Sequence, residues 1–174
     1  MIIGLAHNYY GSAAPSGENN VYESELTLLR QKSHTVIEFT RHSDEIRRRG
    51  VLGAVRGALS TPWNIFSRIK AEKLIKKVAP DILHMHNSFP LLSPAVFYAA
   101  KKSPTATVLT LHNYRIFCAA GILMHHGKPC TECLENRSVR PALRYRCYRE
   151  SLAATIPMAA MIWLHRRLKT WERQ

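Results

Sequence analysis

The sequence predicts an α/β fold, an open parallel sheet flanked by helices, and two observations predict it. Short apolar, β-branched runs at 2–6, 34–39, 81–86 and 106–112 alternate with segments of helical apolar spacing. Alternation of that kind gives βαβ units with right-handed crossovers. The composition is also that of a globular chain, with 46% hydrophobic and 21% charged residues over 174 residues, a length that buries a real core in one domain.

Each element has its own signal. Residues 2–6, "IIGLA", form a buried strand, and "NYYGSAAPSGENN" is a turn-rich loop carrying Gly11, Pro15 and Gly17. From 20 to 31, Val21, Tyr22, Leu26, Leu28 and Leu29 recur at near-helical spacing, with Glu18 suited to the positive end of the helix. "HTVIEF" (34–39) is the second strand. "VLGAVRGALSTPWN" fits either a short helix or an ordered loop. Ile65, Ile69, Ile75 and Val78 mark a helix with a basic outer face that Pro80 ends. "DILHMH" (81–86) is a strand. Ser93 caps a helix with Pro94 at its first position, running through Ala100, and "ATVLTLH" (106–112) is the last strand.

The charge is +13, from 25 Lys+Arg against 12 Asp+Glu. From Lys101 onward 13 basic residues face 4 acidic ones, so +9 lies in the last stretch. Such a field attracts phosphate as nucleotide, nucleic acid or anionic bilayer; simple solubility is the bland alternative. The start "MIIGLAHNYYG" lacks a secretory pattern, and the apolar stretch 152–164 is too short to span a bilayer. A cytoplasmic chain is expected, with contact at the inner face of the plasma membrane as an option. In that compartment cysteines are more often reduced or metal-bound than disulfide-paired.

Ligands of open parallel sheets bind beyond the carboxyl ends of the strands, which selects the loops 7–18, 84–90 and 112–118. The first has Ser16-Gly17-Glu18 at a loop-to-helix junction, where backbone N–H groups can hold phosphate; a plain turn glycine explains it equally well. His84 and His86 share one side of a strand, a spacing that suits a metal only with a third ligand from elsewhere. Sheet packing explains His84, and a polar ligand contact suits His86 and Asn87. At the next strand end stand His112, able to act as acid, base or neutral partner, and Asn113 and Arg115, the latter a phosphate or carboxylate clamp.

Cys118, Cys130, Cys133 and Cys147 are spaced C-x11-C-x2-C-x13-C. Three readings stay open: a structural zinc site, with His125 or His126 able to replace a cysteine; reduced buried thiols; or a disulfide or redox pair. Arg137, Arg140, Arg144, Arg146 and Arg149 precede the apolar segment 152–164, interrupted by Pro157. That pattern fits a membrane-surface contact or a core helix with a solvated basic end. A zinc-bearing basic nucleic-acid binder is the non-enzymatic rival, and a membrane-surface module without catalysis is another. The basic residues are not interleaved with a recognition helix, which argues against nucleic acid as partner.

Several motifs in order, "YYGSAAPSGEN", "HMHNSFPLLSPAV", "TLHNYRIFC", "GKPCTECL", "CYRESL" and "HRRLKTW", resemble the N-terminal domain of family 4 (group 1) glycosyltransferases, most of all bacterial members of exopolysaccharide or lipopolysaccharide synthesis. The resemblance covers Asn8 to Trp171. It implies the GT-B architecture of two Rossmann-like domains, this one on the acceptor side and incomplete at its C-terminal end. It also implies retaining transfer from a UDP- or GDP-sugar to a glycan or lipid-linked acceptor, with no catalytic metal. His112 then lies near the transferred sugar, Ser16, Gly17 and Glu18 at the donor phosphates, and His86, Asn87, Asn113 and Arg115 on the acceptor side. The family often has a Gly-Gly pair where Ser16-Gly17 stands here. The donor-binding domain, with a basic pair and Glu-x7-Glu, is absent from these 174 residues, so the chain alone is expected to show little transferase activity.

Overall fold

The structure, a computed structural model, describes residues 1–12 and 16–172; Pro15 of the first loop lies outside them. The chain forms two compact units, Met1–His112 and a second that begins at Asn113.

The first unit is the α/β body. Its strands are β1 (Ile2–Tyr9), β2 (Thr35–His42), β3 (Ile82–Asn87) and β4 (Ala106–Leu109), all parallel, in the order β2-β1-β3-β4. The predicted fold class is therefore observed. Helix α1 (Gly17–Gln31) joins β1 to β2. Helices α2 (Asp44–Arg47), α3 (Gly50–Ser60) and α4 (Ile65–Val78) lie between β2 and β3, so "VLGAVRGALS" is helical. The segment opened by Ser93 and Pro94 is a 3₁₀ helix, Pro94–Ala99, not an α-helix; the Ser93 hydroxyl still accepts from the Ala95 N–H.

Strand β1 is central and buried over nearly its whole length, as expected of a parallel strand covered on both faces. Of the apolar set in α1, Tyr22 and Leu26 pack on Leu5 while Val21 and Leu28 face outward. Each such burial stabilises by roughly 1.5–3 kcal/mol. Asn64 caps α4 by accepting from the Ser67 N–H, and the Ser67 hydroxyl donates to the Leu91 carbonyl at 2.8 Å. Helix α4 ends at Ala79 in the left-handed region, just ahead of Pro80.

In the second unit, a two-residue hairpin pairs β5 (Met124–His125) with β6 (Lys128–Pro129). His126 and Gly127, both at positive φ, form its turn, the combination a type I′ hairpin needs. Short helices α5 (Glu132–Glu135) and α6 (Arg140–Arg144) follow, then α7 (Leu152–Arg167) and a 3₁₀ turn, Thr170–Glu172. Helix α7 contains the apolar 152–164 stretch, accommodates Pro157, and buries Met158, Met161, Ile162 and His165. Among the described residues no helix is long and apolar enough to cross a membrane.

Candidate active site

The strand order changes direction between β1 and β3, and a crevice at such a switch point is where open α/β sheets bind ligands. Both strands end there in polar residues. The predicted strand at 2–6 continues through His7, Asn8 and Tyr9 because their polar groups find partners. Asn8, fully buried, donates to the Ser43 hydroxyl at 3.0 Å and accepts from the Leu91 N–H at 3.1 Å. Asn87 donates to the Asn8 carbonyl at 3.1 Å and accepts from the Phe89 N–H at 2.9 Å. Its amide thus ties the end of β3 to β1 on one side and to the loop after β3 on the other.

The register of β1 against β3 slips between Ala6 and His7, so His7 pairs with Asn87 and His86 is left out of the ladder. A bulge of this kind re-aims a side chain. The His86 ring is buried, with Nδ1 3.1 Å from His112 Nε2 and the two rings stacked at 5.2 Å. His84, two residues back, lies between Glu25 and Thr110: Nδ1 is 2.8 Å from Glu25 Oε1 and Nε2 is 2.8 Å from the Thr110 hydroxyl. The other Glu25 oxygen stands 3.3 Å from His86 Nε2, out of line for a hydrogen bond. His7 stacks on Tyr22 at 4.6 Å, and its Nε2 lies 2.9 Å from Asn19 Oδ1. Four imidazoles and one carboxylate therefore meet at the carboxyl end of the sheet.

Burial holds His7, His84 and His86 below the ordinary histidine range, His86 down to about 3 with the neighbouring imidazoles of His84, His112 and His7 adding to the effect. All three are neutral at pH 7, and Glu25 opposes the shift only at His84. Neutrality constrains the tautomers. One proton lies between His86 Nδ1 and His112 Nε2. If His86 supplied it, its Nε2 lone pair would face the Glu25 carboxylate, which is repulsive. The favoured arrangement puts N–H on His86 Nε2, so that His86 Nδ1 accepts from the N–H at His112 Nε2.

Glu25, His84 and His86 form the one group of three ligand-type residues, among those described, whose ligand atoms all lie within 4.8 Å of one another. Glu25 is thus the third partner the histidine pair lacked in the sequence. Tetrahedral ligands about 2.1 Å from a zinc ion stand about 3.4 Å apart, so the 2.8 Å contact of His84 with Glu25 is a direct hydrogen bond with no room for an ion between.

The family model for Glycosyltransferase Family 4 matches residues 17–168. The chain belongs to Glycosyltransferase Family 4. No curated protein and no solved structure matches it.

The other glycosyltransferase site residues expected from the sequence divide between the units. Gly17 opens α1, with Ser16 extended ahead of it and Glu18 in the first turn; a Cβ at Gly17 would meet nothing within 4 Å. Asn113 and Arg115 fall in the second unit. There Asn113 Oδ1 accepts from the Arg115 N–H at 2.9 Å and the Arg115 guanidinium lies 5.6 Å from the Tyr148 ring centre. Cys118, Cys130, Cys133 and Cys147 are free thiols of that unit. The basic run is exposed at Arg137, Arg140, Arg144, Arg146 and Arg149. Sequence reasoning missed His7 and Glu25. The strand-end rule covered His7 as part of a loop without singling it out, and nothing local marks Glu25.

Proposed function

We propose that this chain is the acceptor-binding half of a retaining glycosyltransferase that moves a sugar from a UDP- or GDP-sugar to a glycan or lipid-linked acceptor. The observation that carries the reading is the imidazole cluster at the β1/β3 switch point of a Family 4 chain, ending in the half-buried His112. In this reading His112 sits beside the transferred sugar, where it hydrogen-bonds a sugar hydroxyl and orients the ring. His86, whose Nδ1 lies 3.1 Å from His112 Nε2, holds the His112 ring from the sheet side. The bond from the anomeric carbon to the diphosphate breaks with its electron pair going to phosphate. The acceptor oxygen bonds to the same face, and its proton passes to the departing diphosphate.

Ser16, Gly17 and Glu18 lie on the donor-phosphate side. The open space over Gly17 and the N–H groups of the α1 start support phosphate approach there. His86, Asn87, Asn113 and Arg115 belong to the acceptor side, His86 and Asn87 acting from beneath, as their burial requires. The nucleotide-sugar is held mainly by a second Rossmann-like domain in a GT-B pair, and no catalytic metal takes part.

A membrane-linked acceptor at the inner face of the plasma membrane fits the +13 charge. Helix α3 adds support: Val51, Leu52, Val55 and Leu59 are exposed along it, beside the exposed Arg47, Arg48, Arg49 and Arg56. An apolar stripe with a basic border lies in bilayer interfaces.

A short-chain prenyl-diphosphate monosaccharide, incubated with the chain and labelled UDP- or GDP-sugars, tests the reading. It expects acceptor binding with little or no transfer. Failure to bind this acceptor and a panel of free glycans would overturn the acceptor role, and turnover by these residues alone would overturn the half-enzyme part. Flotation with anionic vesicles should weaken on Leu52→Ser; equal flotation contradicts the bilayer contact.

A further inference from the structure

Between Asn113 and Glu150 the only buried residues are Ala119, Gly121 and Ala142. Two-residue strands and helices of four and five residues make up its regular structure. A segment with so little apolar burial is held by something other than a core. Its backbone is also constrained, with Leu123, His126, Arg137, Arg146 and Arg149 at positive φ, a region costly for residues other than glycine.

The four cysteines, which come from every part of this segment, line one cavity of about 20 Å³ together with Ala142 and Tyr145. Cys118 lies in the loop after Asn113, and its N–H bonds to the Tyr114 carbonyl. Cys130 follows the hairpin, its N–H bonding back to the Leu123 carbonyl at 2.8 Å. Cys133 is in α5, and Cys147 follows α6 with its N–H on the Ala142 carbonyl at 3.1 Å. His125 stacks on Tyr145, whose hydroxyl meets Glu132 at 3.1 Å, fastening the hairpin and α5 around the cavity. Neither His125 nor His126 lines it, which leaves a ligand set of four sulfurs.

We propose that Cys118, Cys130, Cys133 and Cys147 bind one zinc ion that ties the hairpin, α5, α6 and the loop after Asn113 into a fixed unit. Four thiolates are a tetrahedral set suited to zinc, and a site with four protein ligands is structural. Binding releases four thiol protons to solvent and leaves a site of net charge −2, next to a strongly basic segment in which Arg166 already acts on Cys133. Burial and the neighbouring thiols push Cys133 up, and Cys147 up to about 11. A divalent ion turns the crowding of the four thiols into attraction. No three of the sulfurs lie within 4.8 Å of one another, whereas sulfurs about 2.3 Å from zinc stand about 3.8 Å apart. Binding therefore draws the cavity walls together.

The test is elemental analysis of the 174-residue chain, expressed with zinc and purified under reducing conditions without chelator. The expected result is about one zinc per chain, lost when the four thiols are titrated. Cobalt in place of zinc should give the intense thiolate charge-transfer bands of a tetrahedral sulfur site. Cys130→Ser and Cys133→Ser should each abolish them; if these variants do not fold, the metal content and cobalt spectrum of the unaltered chain decide. A folded chain with four titratable thiols and no stoichiometric metal overturns the proposal, as does a disulfide among them or iron in place of zinc. None of these outcomes bears on sugar transfer.

Discussion

His86 Nδ1 lies 3.1 Å from His112 Nε2, and the far side of the same His86 ring faces the Glu25 carboxylate. A buried imidazole of the cluster is therefore a link between a carboxylate on α1 and the half-buried histidine at the end of the neighbouring strand. The link holds the His112 ring from beneath.

Glu25→Gln keeps the shape of this link and removes its charge. An amide facing His86 Nε2 no longer excludes the opposite tautomer, so the ring-nitrogen NMR shifts of His112 should move toward a mixture. Stability should fall by about 1–3 kcal/mol, the usual cost of disturbing a buried polar partner. Unchanged His112 nitrogen shifts would separate Glu25 from the relay.

Stability should fall with acid. His7, His84 and His86 are held below the ordinary histidine range in the folded chain, so below about pH 6.5 the unfolded chain binds more protons than the folded one. The neutral-imidazole stability is fully present above that pH and is lost progressively toward the folded value of about 3 for His86. The slope is up to about 1.4 kcal/mol per pH unit for each such histidine. Urea midpoints from pH 8 to 4 measure it, and His86→Asn should flatten the curve. A midpoint independent of pH between 6.5 and 4.5 would contradict the burial of neutral rings.

Asn8→Ala removes the side chain that joins β1 to Ser43 and to the loop at Leu91. The buried Leu91 N–H then has lost its acceptor, at a cost of about 1–3 kcal/mol. Hydrogen exchange at Leu91 and Phe89 should speed up before global unfolding does.

Leu26→Ala should cost about 2–5 kcal/mol, because Leu26 is buried against Leu5 and Tyr22. Val21→Ala, on the exposed side of the same helix, should stay within about 0.5 kcal/mol. Denaturant titration of the pair checks which face of α1 carries the core.

Helix α1 also shows what the sequence reveals and what it withholds. Its existence is legible from apolar spacing, yet Val21, Tyr22, Leu26, Leu28 and Leu29 read as one set until the sheet selects Tyr22 and Leu26. The strand–helix alternation, and with it the sheet, is legible for the same local reason. Strand ends are not. "HNY" after "IIGLA" reads as loop, and it is strand because Asn19, Ser43 and Leu91, all distant in sequence, satisfy its polar groups. The histidines at 86 and 112 are legible from the rule that ligands gather at strand ends. Their contact depends on a register slip, and Glu25 depends on the rotation of a helix, so neither could be read locally. Cysteine spacing suggests a metal, but only the hairpin and the turns bring the four thiols to one cavity.

The measurement that tests the central claim most directly is a histidine-nitrogen NMR titration of the chain with a short-chain prenyl-diphosphate monosaccharide or a free glycan acceptor. The account predicts that the ring nitrogens of His112 shift first, that those of His86 follow through their shared proton, and that His112→Ala abolishes the His86 response. Acceptor binding that leaves both rings unmoved would place the sugar elsewhere and contradict the strand-end cluster as the site.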